Sequence, residues 1–270
     1  MKNVRYVRSL AIYMKIPREL RPGQPPFNPI ELSYVTEKIV AKDLNHTQLR
    51  KYTHFRVVRF YRGAATAFTV GCNLRCFFCW SQRARDYPEI YGKYYTPKEV
   101  VDKLVELCRT YNTNRARLSG GEPTITRKHL IELLKLVDEE RHIEIFILET
   151  NGLLLGYDRS FVKDLARSCS KLVVRVSIKA GNSREFQKRT GSAEEFYWLP
   201  FQAIEHLIRE GVRVYVAILV DPRLVPIAER RSLISKLASI DPRLVREVEE
   251  EIVELFPEAR RRLELYGIKL

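Results

Sequence analysis

The sequence predicts an α/β fold built on a parallel sheet, and two observations carry that expectation. From Gly63 onward, apolar runs of strand length alternate with segments of helical spacing, the trace that crossover helices between parallel strands leave in a chain. The residues that follow those runs read GCNLRC, GGEP, TNG, KAGN and DP, so polar and glycine-rich strand ends line up on one rim. Open doubly wound sheets and α/β barrels both bind ligands there, and five strands with a sixth undecided leave either architecture open. With 270 residues, 45% of them hydrophobic, the chain is long enough to bury such a core.

The elements follow in order. Residues 1–62 show no sustained period, and the proline-rich RPGQPPFNP within them is an extended loop or linker. AATAFTV is the first strand of the regular region. TPKE, from Thr96 to Glu99, is a capping box with proline at the first helical position, and Val100, Val101, Leu104 and Val105 continue one apolar face. ARLS, the helical KHLIELLKLVDEE, IEIFILE, the helical FVKDLARS, LVVRVSIK, FQAIEHLIREG and VRVYVAILV complete the alternation, and RRSLISKLASI adds a further helix. VEEEIVELFPEA half fits both periods, so the sixth strand is undecided.

Composition narrows the function classes. No apolar run is long enough to cross a membrane and no cleavable leader is visible, so a soluble, cytoplasmic protein is expected. The charged-residue bias resembles that of proteins working at high temperature. Of the formal net charge of +14, an excess of nine basic residues sits in residues 1–70, thirteen lysines and arginines against four acids. Tyr6, Tyr13, Phe27, Tyr34, Tyr52, Phe55, Phe60 and Tyr61 interleave with it, a pattern that fits RNA or another acidic partner, or a solvated basic surface.

Cys72, Cys76 and Cys79 hold three of the chain's five thiols within eight residues. That odd cluster does not fit a secreted disulfide framework and points to metal. A zinc site would carry paired C-x2-C motifs or histidines at ligand spacing, and His46, His54, His129, His142 and His206 form no such set. A four-iron cluster needs one ligand per iron, so three thiolates leave one iron for a distant ligand or for a substrate. Cys108 lies in a core-patterned helix and Cys169 follows one, and neither falls on the rim.

CxxxCxxC after a strand, with Phe78 before the last cysteine, resembles the radical S-adenosylmethionine (SAM) superfamily. Two glycines in GGEP would allow close approach of a ligand, and Glu122 offers a carboxylate to an ammonium group. The acidic-TNG at Glu149–Gly152 and the SIK segment are similar to those of the glycyl-radical, or pyruvate formate-lyase, activating enzymes, as is KAGNSREFQKRTG. The resemblance covers about Ala64 to Asp221.

It implies a partial (β/α)6, TIM-like barrel over 63–225, a basic N-terminal extension over 1–62, and a helical and last-strand segment over 226–270 completing the barrel. It implies that Cys72, Cys76 and Cys79 hold a [4Fe–4S] cluster whose fourth iron is chelated by SAM, and that SAM is cleaved to methionine and a 5′-deoxyadenosyl radical. Phe78, Gly120, Gly121, Glu122, Pro123, Glu149, Thr150, Asn151, Ser177 and Lys179 would form the cofactor contacts. Ser177 departs from the pattern, which has an acidic residue there.

A one-electron donor such as ferredoxin or flavodoxin is expected. The expected reaction is activase-like hydrogen abstraction from a protein, with modification of RNA or cofactor biosynthesis as alternatives. Outside enzymology, the competing reading is an iron–sulfur binding or sensing module. No second cysteine cluster is present, which disfavours branches with auxiliary clusters. Tyr87, Tyr91, Tyr94 and Tyr95, with Arg83 and Arg85, either line a substrate entrance or cover a barrel edge.

Overall fold

The protein, represented by a computed structural model, is described over residues 18–270, so Tyr6 and Tyr13 lie outside the described residues. The first elements are helix α1 (Pro29–Val40), strands β1 (Ala41–Leu44), β2 (Thr47–Val58) and β3 (Ala64–Thr69), a short α2 (Gln82–Asp86) and β4 (Lys93–Tyr95). Asn28 starts α1 by accepting hydrogen bonds from the backbone N–H of Ile30 and Glu31, with Pro29 at the first helical position. The repeating units are α3 (Pro97–Thr110), β5 (Arg115–Gly120), α4 (Arg127–Glu139), β6 (Ile145–Thr150), α5 (Leu153–Tyr157), α6 (Arg159–Ser168) and β7 (Leu172–Ile178). They continue with α7 (Ser183–Thr190), α8 (Leu199–Arg209), β8 (Arg213–Leu219), α9 (Ile227–Ile240), α10 (Arg243–Arg246), β9 (Glu249–Glu251) and α11 (Pro257–Leu265). The Thr96–Glu99 capping box forms at the start of α3.

Strands β3, β5, β6, β7, β8 and β9 pair in parallel and in chain order. A doubly wound sheet reverses its strand order partway across, because its helices divide between two faces. No reversal occurs among these six, so successive right-handed crossovers stack the helices on one side and the sheet curls into a partial barrel. Ala116, Leu118, Phe146, Leu148, Val174, Val176, Val216 and Ile218 face the helices, where they join Leu104, Leu133, Leu165, Leu207 and Leu237 in the main core. Side chains alternate along a strand, so Arg117, Ser119, Glu149, Arg175 and Ser177 point the other way, into the barrel.

The structure supplies what periodicity missed in the first sixty residues. Residues 29–58 form a helix and a hairpin, with β2 pairing antiparallel to β1 and then β3 along one side and to β4 along the other. A bulge between Tyr52 and Phe55 explains why the alternation in β2 is broken. VEEEIVELFPEA divides into the short sixth parallel strand β9 and the start of α11, which is why both periods half fit. The aromatics interleaved with the basic residues are mostly structural: Phe27 and Tyr52 are buried, Phe55 stacks on Tyr52, and only Tyr34 and Phe60 among the described ones are exposed on the surface. Tyr94 and Tyr95 lie in β4 and cover the outer edge of β2.

Candidate active site

The cluster loop leaves β3 at Gly71, where φ is +83° and a Cβ would stand 2.6 Å from Thr36 Cγ2. It is fastened by backbone hydrogen bonds on every side. Gly71 N–H donates to Ala84 O (3.0 Å), Glu122 N–H to Gly71 O (2.8 Å), Arg75 N–H to Thr190 O (2.9 Å) and Cys79 N–H to Cys76 O (3.1 Å). Cys76 is buried, while Cys72 and Cys79 are half-buried. Phe78, within the loop, is partly buried against the core and edge-on to Phe77.

Burial, with the Glu122 charge nearby, pushes the Cys72 thiol up to about 12. Burial likewise holds Cys76 at about 11 even though Lys179 pulls the other way. Thiolates here therefore need a cationic centre to form, which iron provides. Among the described residues no three His, Cys, Asp or Glu side chains converge closely enough for a single metal ion. Cys108 is buried against Arg115 O and Cys169 at the end of α6, both remote from the rim.

GGEP closes against this loop. A Cβ on Gly121 would lie 2.0 Å from Gly71 O, and one on Gly120 would lie 2.8 Å from Thr69 O. The two glycines thus admit the backbone of the cluster loop and of β3. Glu122 is buried, and its Oε1 accepts from Thr124 N–H (3.1 Å), Thr124 Oγ1 (2.6 Å) and Thr150 Oγ1 (2.7 Å). Among the described residues its Oε2 accepts only Asn151 N–H, at 2.8 Å, leaving acceptor capacity for a ligand donor. Pro123 opens a buried turn over Pro123–Ile125.

Asn151 donates from Nδ2 to Asn73 Oδ1 (2.7 Å) and lies 4.0 Å from Cys72 Sγ, so ETNG touches the cluster loop directly. Glu149 turns into the barrel and accepts from Arg117 Nη1 (3.0 Å), Ser119 Oγ (2.5 Å) and Tyr61 OH (2.9 Å). Lys179 bonds Ser177 and lies 3.6 Å from Glu251 Oε2. Burial would lower the Lys179 pKa, but Glu251 and Cys76 outweigh it and raise it above the ordinary lysine range. Glu251 also accepts from Ser177 Oγ (2.7 Å) and Arg175 Nη1 (2.9 Å). The carboxylate missing at position 177 is thus supplied from β9.

That contact spans β8, where Ala217 pairs with Ser177 on one side and Glu249 on the other, its small side chain leaving the path open. Burial alone would raise the Glu251 carboxyl, yet Lys179 and Arg175 pull it down to about 2. The motifs did not mark Arg50, Asn73, Arg117, Arg175 or Glu251, although strand parity with Ser119, Ser177 and Lys179 was the available signal for Arg117 and Arg175. Arg50 is buried and donates to Glu122 O (2.8 Å) and Thr126 Oγ1 (2.6 Å), bracing GGEP from β2.

A partial barrel carrying three cysteines and a buried carboxylate at its strand ends defines a cluster-dependent, SAM-binding fold. The family model of the radical SAM superfamily matches residues 66–226, more than half of the chain. The chain belongs to the radical SAM superfamily, and its cofactors are a [4Fe–4S] cluster and SAM.

A GTP 3′,8-cyclase of Clostridium perfringens is 28% identical over 152 residues, covering 56% of this chain and 44% of that protein. A proposed glycyl-radical enzyme activating enzyme of Methanocaldococcus jannaschii is 28% identical over 115 residues, covering 43% of this chain and 39% of that one. The chain thus spans less than half the length of these relatives. Among solved structures, a radical SAM methyltransferase of Sphaerobacter thermophilus matches with TM-score 0.56 at 14% identity, covering 84% of this chain and 72% of that one. Streptococcus suis SuiB bound to SAM matches with TM-score 0.54 at 14% identity, covering 73% and 45%. Both show the same fold. No described helix is long and apolar enough to cross a membrane.

Proposed function

We propose that this enzyme turns radical SAM chemistry on a small polar molecule in a cofactor-biosynthesis type of reaction, in preference to an activase-like reaction on a protein. The observation that carries this reading is the inner face of the barrel. Arg117 pairs with Glu149, and Arg175 with Glu249 and Glu251, all directed inward below the rim that holds the thiols. A ligand with its own donors and acceptors can exchange hydrogen bonds with such pairs, whereas an apolar segment of a protein would leave buried charges unpaired. The likeness to GTP 3′,8-cyclases supports the same direction, and the M. jannaschii relative keeps the activase-like reading as the second.

In this reading Cys72, Cys76 and Cys79 hold the cluster. When bound, the cluster supplies the electron that cleaves SAM to methionine and a 5′-deoxyadenosyl radical. Glu122 Oε2, with its spare acceptor capacity, receives the methionine ammonium group of SAM, and Gly120, Gly121 and Pro123 shape the turn that presents it. Lys179, held by Glu251 and Ser177, meets the SAM carboxylate or ribose. Thr150 and Asn151 keep Glu122 and the cluster loop in register, Glu149 lines the substrate side, and Phe78 anchors the loop to the core. An external one-electron donor such as ferredoxin or flavodoxin completes the system.

The test is anaerobic reconstitution with iron and sulfide, then assay of 5′-deoxyadenosine with SAM and a strong reductant. Fractions of a cell extract are added as small molecules, protein or RNA. Stimulation by the small-molecule fraction is the expected result. Stimulation by the protein fraction alone would establish the activase-like reading instead, and by RNA alone the nucleic-acid one. A cluster that never yields 5′-deoxyadenosine would make the chain a binding or sensing module.

A further inference from the structure

Arg85, on α2, lies directly behind the cluster loop with its side chain almost wholly buried. Its guanidinium is fixed at two points: Nη1 donates to Cys76 O at 2.6 Å and Nε to Asp86 Oδ1 at 2.7 Å. Asp86 is held from the other side by Arg262 Nη2 of α11, at 2.5 Å, while Arg262 Nε reaches the half-buried Glu19 at 3.1 Å. Arg85 Nη2 is buried and has no hydrogen-bond partner among the described residues. A buried charged N–H without an acceptor is costly, and the proteins that keep one usually have a use for it.

The position of that group suggests the use. Cys76 O accepts from both Arg85 Nη1 (2.6 Å) and Cys79 N–H (3.1 Å), so the guanidinium is held against the turn that carries two of the three thiols. The cation therefore stands within electrostatic reach of two of the three cluster ligands. Iron–sulfur potentials are set by net charge, hydrogen bonds to the sulfurs and solvent exposure. In a water-excluded site a fixed positive charge favours the state carrying one more electron.

We propose that Arg85 is a positioning residue for the cluster, holding the Cys76 turn through Nη1 and, with its buried cation fixed beside that turn, raising the cluster's reduction potential. Asp86 moderates the effect, and Arg262 shares that carboxylate with Arg85, so the C-terminal helix has a part in setting the potential. The inference rests on the cluster and not on the substrate reading, so the two can fail separately.

The test is a redox titration of the reconstituted protein without SAM, followed by electron paramagnetic resonance of the reduced cluster, for wild type, Arg85→Met, Arg85→Lys and Asp86→Asn. Iron and sulfide content are measured alongside. The electrostatic role predicts shifts of opposite sign: Arg85→Met moves the midpoint to more negative potential, and Asp86→Asn moves it to more positive potential. Arg85→Lys, which keeps the charge, stays nearer wild type than Arg85→Met. If Arg85→Met takes up no cluster, Asp86→Asn decides, and a midpoint there that is unchanged or more negative overturns the proposal. An Arg85→Met protein with full iron content and an unshifted midpoint overturns it as well.

Discussion

Gly121 and Gly71 are in backbone contact: a Cβ on Gly121 would stand 2.0 Å from the Gly71 carbonyl oxygen. Since Glu122 N–H also donates to that oxygen at 2.8 Å, the GGEP turn and the cluster loop form one unit. Gly121→Ala must therefore push the two apart. The expected outcome is a loss of about 1–3 kcal/mol in stability with reduced iron uptake, read by denaturant unfolding and iron analysis.

Cys76 is the buried member of the three-thiol loop, and the other two cysteines lie elsewhere in the fold. Cys76→Ala is expected to abolish the [4Fe–4S] absorption after anaerobic reconstitution. Cys108→Ala and Cys169→Ala are expected to keep it. Loss of the cluster in either of those would show that a distant thiol closes it.

Glu122 accepts four hydrogen bonds from Thr124, Thr150 and Asn151. Glu122→Gln keeps the shape but turns one acceptor into a donor, which then faces a hydroxyl or an N–H. About 1–3 kcal/mol of local stability is lost on general grounds. SAM affinity, measured by equilibrium dialysis on the reconstituted protein, should fall roughly tenfold or more, as 1.4 kcal/mol corresponds to a factor of ten. Unchanged affinity would remove Glu122 from the SAM contacts.

His129 on α4 sets an acid limb of stability. Its Nδ1–H donates to Gln48 O (2.7 Å), Nε2 accepts from Tyr52 OH (2.8 Å), and burial pushes its pKa down to about 3 from 6.5. The folded state therefore refuses a proton that the unfolded chain binds below pH 6.5. Stability from this group is fully present above 6.5 and is lost as pH falls through that value toward 3. Unfolding at pH 7 and pH 5 should differ by about 2 kcal/mol from His129 alone. His129→Phe should be less stable at pH 7 but lack that slope.

Much of the fold was legible because its information is local. Strand-length apolar runs, a capping box and a glycine after α8 are each read within a dozen residues, and they gave the five long parallel strands and their helices. The hairpin β1–β2 was not legible, since a bulge breaks its period and a long strand at a sheet edge carries mixed surfaces. The glycines of GGEP were legible as a motif, but not the reason for them, because the atoms they avoid belong to Thr69 and Gly71, far back in the chain.

The aromatics of the basic segment show the same limit. Composition alone cannot tell Tyr52, wholly buried against His129, from Tyr34 on the surface. The activase-like substrate was read from the acidic-TNG and SIK segments, which lie at strand ends and report on the cofactor side of the barrel. The inward charges on which the proposed substrate reading rests come from strand interiors, where a motif search does not look.

By itself the sequence determined the three-thiol loop, the rim of strand ends and the class of chemistry, since each depends on spacing within one turn or strand. Tertiary structure alone decided that Glu251 serves Lys179 and Ser177 from a distant strand, and that Arg85 is buried behind Cys76 with its Nη2 lacking a partner among the described residues. The physical reason is that pairing across such separations is set by packing and by the satisfaction of buried charge, neither of which leaves a period in the chain.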